Sequence, residues 1–176
     1  MNKINVIDYF EETIKKFPNK TALVEGDKRI DFKTLNSDAK NLAQQIIINI
    51  NKIINKPIAV YLPKSIQSVV ADIAITYSGN TYMNLDVNLP SIRIRNTLEL
   101  IRPATIITNK NLAGFIEEIN ANLQLIIIDE IDYVKQADCD LIKNRLEKII
   151  DREPLCIINT SGSTRTPKGV VLNHIS

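Results

Sequence analysis

The sequence predicts an α/β fold, a largely parallel sheet covered by helices on both faces. From Pro57 onward, short runs of β-branched residues alternate with segments of helical period. Those runs are apolar throughout rather than at every second residue, as strands buried on both faces require. No internal repeat or low-complexity linker interrupts the alternation. The only candidate subdomain edge is near Pro57, where a hairpin-containing opening gives way to regular β/α units.

The elements follow in order. Val6 to Phe17 places Ile7, Phe10, Ile14 and Phe17 on one helical face, and Pro18 ends the segment. Thr21–Val24 and Arg29–Phe32 flank Glu25-Gly26-Asp27 and predict a β-hairpin. A second helix is expected from Leu35 to about Ile54. Ile58–Leu62 is a strand-length run stopped by Pro63, with Ser65 as N-cap of the next helix and Gly79 as its stop. Strand 82–86, helix 91–101 closed by Pro103, strand 104–108 and helix 112–119 succeed one another. Strand 125–128, helix 140–150 and strand 155–158 complete the pattern.

Composition narrows the function. Of 176 residues, 44% are hydrophobic and 24% charged, the balance of a globular chain with a core. A formal charge of +2 without any basic block argues against nucleic acid as a partner. No run approaches the ~18 apolar residues of a membrane span, and the acidic start (Asp8, Glu11, Glu12) is unlike a signal peptide. Two cysteines without CxxC spacing and a single histidine, His174, point to a reduced cytoplasmic setting and no zinc site. Cys156 reads as a buried small hydrophobe. Cys139, between two aspartates, lacks a cation to activate it. Leu125–Ile128 followed by Asp129-Glu130 looks like a Mg²⁺-organising strand end. No Gly-Lys-Ser/Thr loop accompanies it, so it reads as a strand ending in a solvated acidic turn.

The most informative stretch is Ile157–Val171. A β-branched run stops, ten polar and turn-forming residues follow, and a second apolar run begins. Thr160, Ser161, Ser163, Thr164 and Thr166 offer hydroxyls. Gly162 and Gly169 permit close backbone approach, and Lys168 adds a mobile charge suited to phosphate. Five places after Gly162 stands Pro167 rather than Gly, so this is not a Walker loop. On chemistry alone, a phosphate cradle and a polar hairpin connection both remain open.

Thr160-Ser161-Gly162-Ser163-Thr164-x-x-Pro167-Lys168-Gly169-Val170 resembles the phosphate-loop signature of the adenylate-forming (AMP-binding) superfamily. Arg165 stands where that family usually has Gly. Arg29–Asn36 and Ile75–Asp86 are similar to two earlier family segments, with Asn84 in place of the usual proline. Pro90 and Arg93 match as well. The likeness covers essentially the whole chain and is closest in flavour to amino-acid-activating members of peptide synthetases and carrier-protein ligases.

The resemblance implies the N-terminal part, residues 1–176, of an adenylation domain. It implies an ATP-dependent ligase that joins a small carboxylate or amino acid to AMP before capture by a thiol, here a phosphopantetheine carrier protein. Thr160, Ser161, Gly162, Ser163, Thr164 and Lys168 would line the β- and γ-phosphates. Mg²⁺ is implied too, its acidic ligand belonging to a later part of the family's chain, as do the adenine pocket and the lid lysine. The expectation is therefore that this polypeptide alone does not turn over and carries no catalytic residue. A missing neighbouring strand would leave a sheet edge for a C-terminal portion or for self-association. The alternative is a non-catalytic relative that binds nucleotide or a protein partner.

Overall fold

The computed structural model describes residues 5–51, 53–160 and 168–176, with Thr160 and Lys168 described in their backbone only. Helix α1 (Val6–Lys16) starts in a capping box: the Asn5 side chain accepts from the Ile7 and Asp8 N–H groups, and Asp8 reaches back to Asn5 N–H. Strands β1 (Thr21–Glu25) and β2 (Lys28–Asp31) form the expected antiparallel hairpin around Gly26, whose φ of 57° suits glycine. Helix α2 runs Phe32–Asn49, not Leu35 to Ile54. Asp31 caps it early through Thr34 N–H, and Asn51, with φ 50°, turns the chain out soon after its end.

The main unit follows as β3 (Pro57–Tyr61), α3 (Ile66–Tyr77), β4 (Thr81–Asn84), α4 (Ser91–Ile101), β5 (Ile106–Thr108), α5 (Lys110–Ile119) and β6 (Leu125–Ile127). A short 3-10 turn, Ile128–Glu130, leads to α6 (Cys139–Leu146), then β7 (Pro154–Thr160) and β8 (Lys168–Asn173). Ser65 caps α3 in a box with Ser68, as the sequence predicts. At the other end the Asn80 N–H returns to Ile75 C=O and Gly79 N–H to Thr76 C=O, a Schellman stop with Gly79 at φ 77°.

The six-stranded sheet has the order β6-β5-β3-β4-β7-β8. Every pair is parallel except β7–β8, which is antiparallel. Alternate residues of each strand enter two cores. Ile58, Val60, Ile107 and Ile126 meet α1, α2, α3 and α6 on one face, while Ala59, Tyr61, Met83, Ile106 and Ile157 meet α4 and α5 on the other. Double coverage explains the uninterrupted apolar strands.

One buried polar knot ties α1, α2 and α3 together. The Tyr77 hydroxyl lies 2.7 Å from both Glu11 Oε1 and Asn36 Oδ1, and Lys40 pairs with Glu11 at 2.7 Å while lying over the Tyr77 ring. Burial alone would raise the Glu11 pKa, but hydrogen bonds from Lys40 and Tyr77 and the Lys40 charge hold it below the usual range.

A candidate phosphate-loop edge

In an open parallel sheet, ligands bind outside the carboxyl ends of the strands where the strand order reverses. Here β3 leads through α3 to β4 on one side, and β4 leads through α4 to β5 on the other side of β3. Two helix N-termini at that edge are already taken by the chain's own carboxylates. Glu25 Oε2 accepts the Ile66 N–H at 2.7 Å at the start of α3. Asp129 Oδ2 accepts the Lys110 N–H at 2.8 Å at the start of α5, and Glu130 lies 3.5 Å from the Lys110 ammonium. The acidic turn after β6 therefore caps a helix, where the helix dipole favours its negative charge. Among the described residues no group of three His, Cys, Asp or Glu converges as metal ligands.

The polar loop leaves the same edge. Strand β7 is parallel to β4, with Tyr82 opposite Cys156, so its carboxyl end at Thr160 lies on the ligand side of the sheet. Antiparallel pairing sets Thr160 opposite Lys168, which brings the two ends of the predicted phosphate loop together. Ser161, Gly162, Ser163, Thr164 and Arg165 lie outside the described residues, as do the side chains of Thr160 and Lys168. Gly169 has a packing reason of its own. A Cβ there would come within 3.0 Å of Ile157 Cγ2 and 3.6 Å of Ile101 Cδ1, so its bareness lets β8 close onto α4.

Two titratable groups are set by contacts with residues distant in the sequence. Asp72, on α3, accepts both its hydrogen bonds from Asn84 Nδ2, at 3.0 and 3.1 Å, and no cation pairs with it among the described residues. Burial pushes its pKa up to about 7, against a smaller lowering by Asn84. The proton retained on folding makes stability fall as pH rises from about 4 to about 7. Asp72→Asn is expected to raise Tm at pH 8 and to leave it unchanged at pH 4. Equal shifts at both values would remove the charge from the explanation.

His174 is half-buried against α1. Its Nδ1 accepts the Val6 N–H at 3.4 Å. Burial lowers its pKa below the usual histidine value, with Glu153 and Asp8 pulling the other way. The folded state thus favours the neutral ring, whose stabilising contribution is complete above about pH 6.5 and fades as pH falls through the lowered folded value. His174→Gln is expected to flatten the stability profile below about pH 6.5. A profile with unchanged slope would contradict this role.

Away from this edge, a groove of about 570 Å³ opens between α1, α2, α3 and α6, with Ile7, Glu11, Lys40, Tyr77, Ile142 and Leu146 in its lining. It lies by the C-terminal end of α3, at the opposite end of the strands from Thr160.

Comparison with known proteins agrees with this frame. Residues 10–176 match the model of the family described as AMP-binding enzyme, and the chain belongs to that family. Tyrocidine synthase 1 of Brevibacillus parabrevis is 27% identical over 168 residues, covering 94% of this chain and 15% of the relative. Gramicidin S synthase 1 of Brevibacillus brevis is 30% identical over 167 residues, with the same two coverages. Among solved structures, VinN superposes with a TM-score of 0.79 at 17% identity over 98% of this chain and 46% of its own. The N-terminal subdomain of Klebsiella oxytoca NpsA gives 0.75 at 19% identity, over 99% and 43%. The chain thus spans about 15% of these two synthases and less than half of these two solved chains. Among the described residues no helix is long and apolar enough to cross a membrane.

Proposed function

We propose that this chain is the phosphate-binding, N-terminal part (1–176) of an ATP-dependent adenylation domain that activates an amino acid for transfer to a phosphopantetheine carrier. The observation that carries the proposal is the family match over 10–176 together with the β7–β8 hairpin, which sets Thr160 against Lys168 at the ligand edge of the sheet. Membership supplies the reaction class. The amino-acid preference rests on the likeness to peptide synthetases and on VinN having been solved with L-aspartate.

The residues present fit a polyphosphate by chemistry. Thr160, Ser161, Ser163 and Thr164 supply hydroxyl donors, Gly162 a bare backbone N–H, and Lys168 a cation, all on one short hairpin loop. Their role is to bind and orient the β- and γ-phosphates and to offset charge as pyrophosphate leaves. Bound ATP would supply the α-phosphorus for attack by the substrate carboxylate, with pyrophosphate as the leaving group. Glu25 and Asp129 contribute indirectly, because they occupy the helix termini that would otherwise compete for phosphate.

The test is the binding of ATP and of pyrophosphate to the purified chain, followed by calorimetry. A single site that takes both ligands supports the assignment. Heat with AMP but none with pyrophosphate would place the nucleotide elsewhere. Amino-acid-dependent turnover by residues 1–176 alone would show that the rest of the domain is not required, against our proposal.

A further inference from the structure

At the carboxyl end of β4, beside the strand that feeds the loop, one side-chain pair has two possible arrangements. Asn84 ends β4 with its side chain exposed, and Asp72 reaches it from the middle of α3. Strand β4 lies parallel to β7, with Tyr82 opposite Cys156. Continuing that register sets Asn84 level with Ile158, and Thr160 follows two residues, about 7 Å, further along β7. Alternation puts Tyr82 and Asn84 on one face of β4, the face that carries α3. The pair thus borders the neck where Thr160 meets Lys168.

Asn84 Nδ2 lies 3.0 and 3.1 Å from the two Asp72 carboxyl oxygens. An ionised carboxylate only accepts, so it must face the amide nitrogen, and Asn84 Oδ1 is turned away. A protonated Asp72 carries an O–H whose partner across the same gap is Oδ1. The amide then turns over and Nδ2 points outward. The terminal torsion of asparagine is soft and roughly two-fold, so either state fits the same backbone. The surroundings let Asp72 take both forms. Burial raises its affinity for a proton and Asn84 opposes this, with no cation paired to it among the described residues. Tyr82 faces it from β4 and stays neutral, held above the usual phenol range by burial, and Cys156 of β7 lies beside Tyr82.

We propose that Asp72 is a positioning residue for the phosphate site: protonated, it turns the Asn84 N–H group outward beside the loop, and ionised, it presents Asn84 Oδ1 there instead. The inference rests on the nucleotide assignment above. Polyphosphate is an acceptor-only anion, so it favours the state with Nδ2 outward and is opposed by both Oδ1 and the Asp72 charge. Affinity therefore falls as Asp72 loses its proton, and by linkage bound polyphosphate holds that proton on.

Two measurements on the 176-residue chain test this. The Asn84 side-chain amide signal, assigned by its loss in Asn84→Ser, is followed against pH by nitrogen-15 NMR without ligand. It should titrate at about pH 7 in the wild type and stay fixed in Asp72→Asn, which keeps an amide donor toward Asn84 Oδ1. Pyrophosphate is then titrated calorimetrically into the wild type and Asp72→Asn, one pH unit below and one above that value. The ligand's own protonation is common to both proteins, so the variant gives the baseline. Wild-type affinity is expected to drop about fivefold more than the variant's, the worth of one hydrogen bond. An Asn84 signal that ignores pH, or equal drops in the two proteins, overturns the inference and leaves the loop assignment standing. Absence of pyrophosphate binding in both proteins at both pH values overturns the two together.

Discussion

Lys168→Ala is expected to weaken ATP binding about tenfold to a hundredfold, the worth of one charge-assisted hydrogen bond to phosphate. The lysine opens β8 opposite Thr160 at the neck of the loop, and the pairing runs through the backbone, so the hairpin is retained in the variant. Calorimetric titration of both proteins measures the effect, and a matched circular dichroism spectrum separates lost binding from lost fold. Lys168→Arg should recover part of the affinity, since the charge remains while the geometry changes. Unchanged affinity in the alanine variant would remove Lys168 from the site.

Tyr77→Ala should destabilise the chain by about 3–5 kcal/mol, the range for removing a fully buried aromatic side chain. Tyr77 is completely buried at the meeting point of α1, α2 and α3. Its ring contacts Phe10 edge-on and carries the Lys40 ammonium above it, so packing and polar order are lost together. Tyr77→Phe keeps the ring and removes only the hydroxyl, leaving Asn36 Oδ1 without its 2.7 Å partner. About 1–2 kcal/mol is expected there. Urea denaturation of the three proteins checks both values, and equal midpoints for Phe and Ala would show that the hydroxyl, not the ring, carries the effect.

Much of this architecture is legible in the sequence because its strands are doubly covered and its helices strongly capped. Ser65, Gly79 and the β-branched runs 57–61 and 106–108 declare themselves through local chemistry. Boundaries set by less regular chemistry are harder to read. The apolar period of α2 continues through Ile53 and Ile54, yet the helix ends at Asn49 because asparagines at 51 and 55 adopt positive φ. Likewise α6 is shorter than expected, Cys139–Leu146 rather than 140–150, with Asp138 as its cap. Strand direction is not encoded in an apolar run, so the antiparallel setting of β8 is learned only from the sheet.

The site divides in the same way. The loop announces itself by composition and by likeness to a family signature, with five hydroxyls, two glycines and a lysine within ten residues. Its surroundings depend on contacts between distant residues. Glu25 reaches Ile66 across 41 positions, and His174 meets Val6 across 168. Asp72 sits among apolar neighbours in a helical pattern that gives no hint of Asn84 beside it. Asn84, where the related signature carries proline, is the one sequence signal that could have drawn attention to that pair.

The most direct test of the account is titration of ATP into the wild-type chain beside the Arg165→Gly variant, which restores the residue usual in the family. Saturable binding to one site in the wild type, lost in Lys168→Ala, is the predicted result. Absence of binding in both the wild type and Arg165→Gly would contradict a nucleotide role for this loop and leave the chain a non-catalytic member of the AMP-binding family.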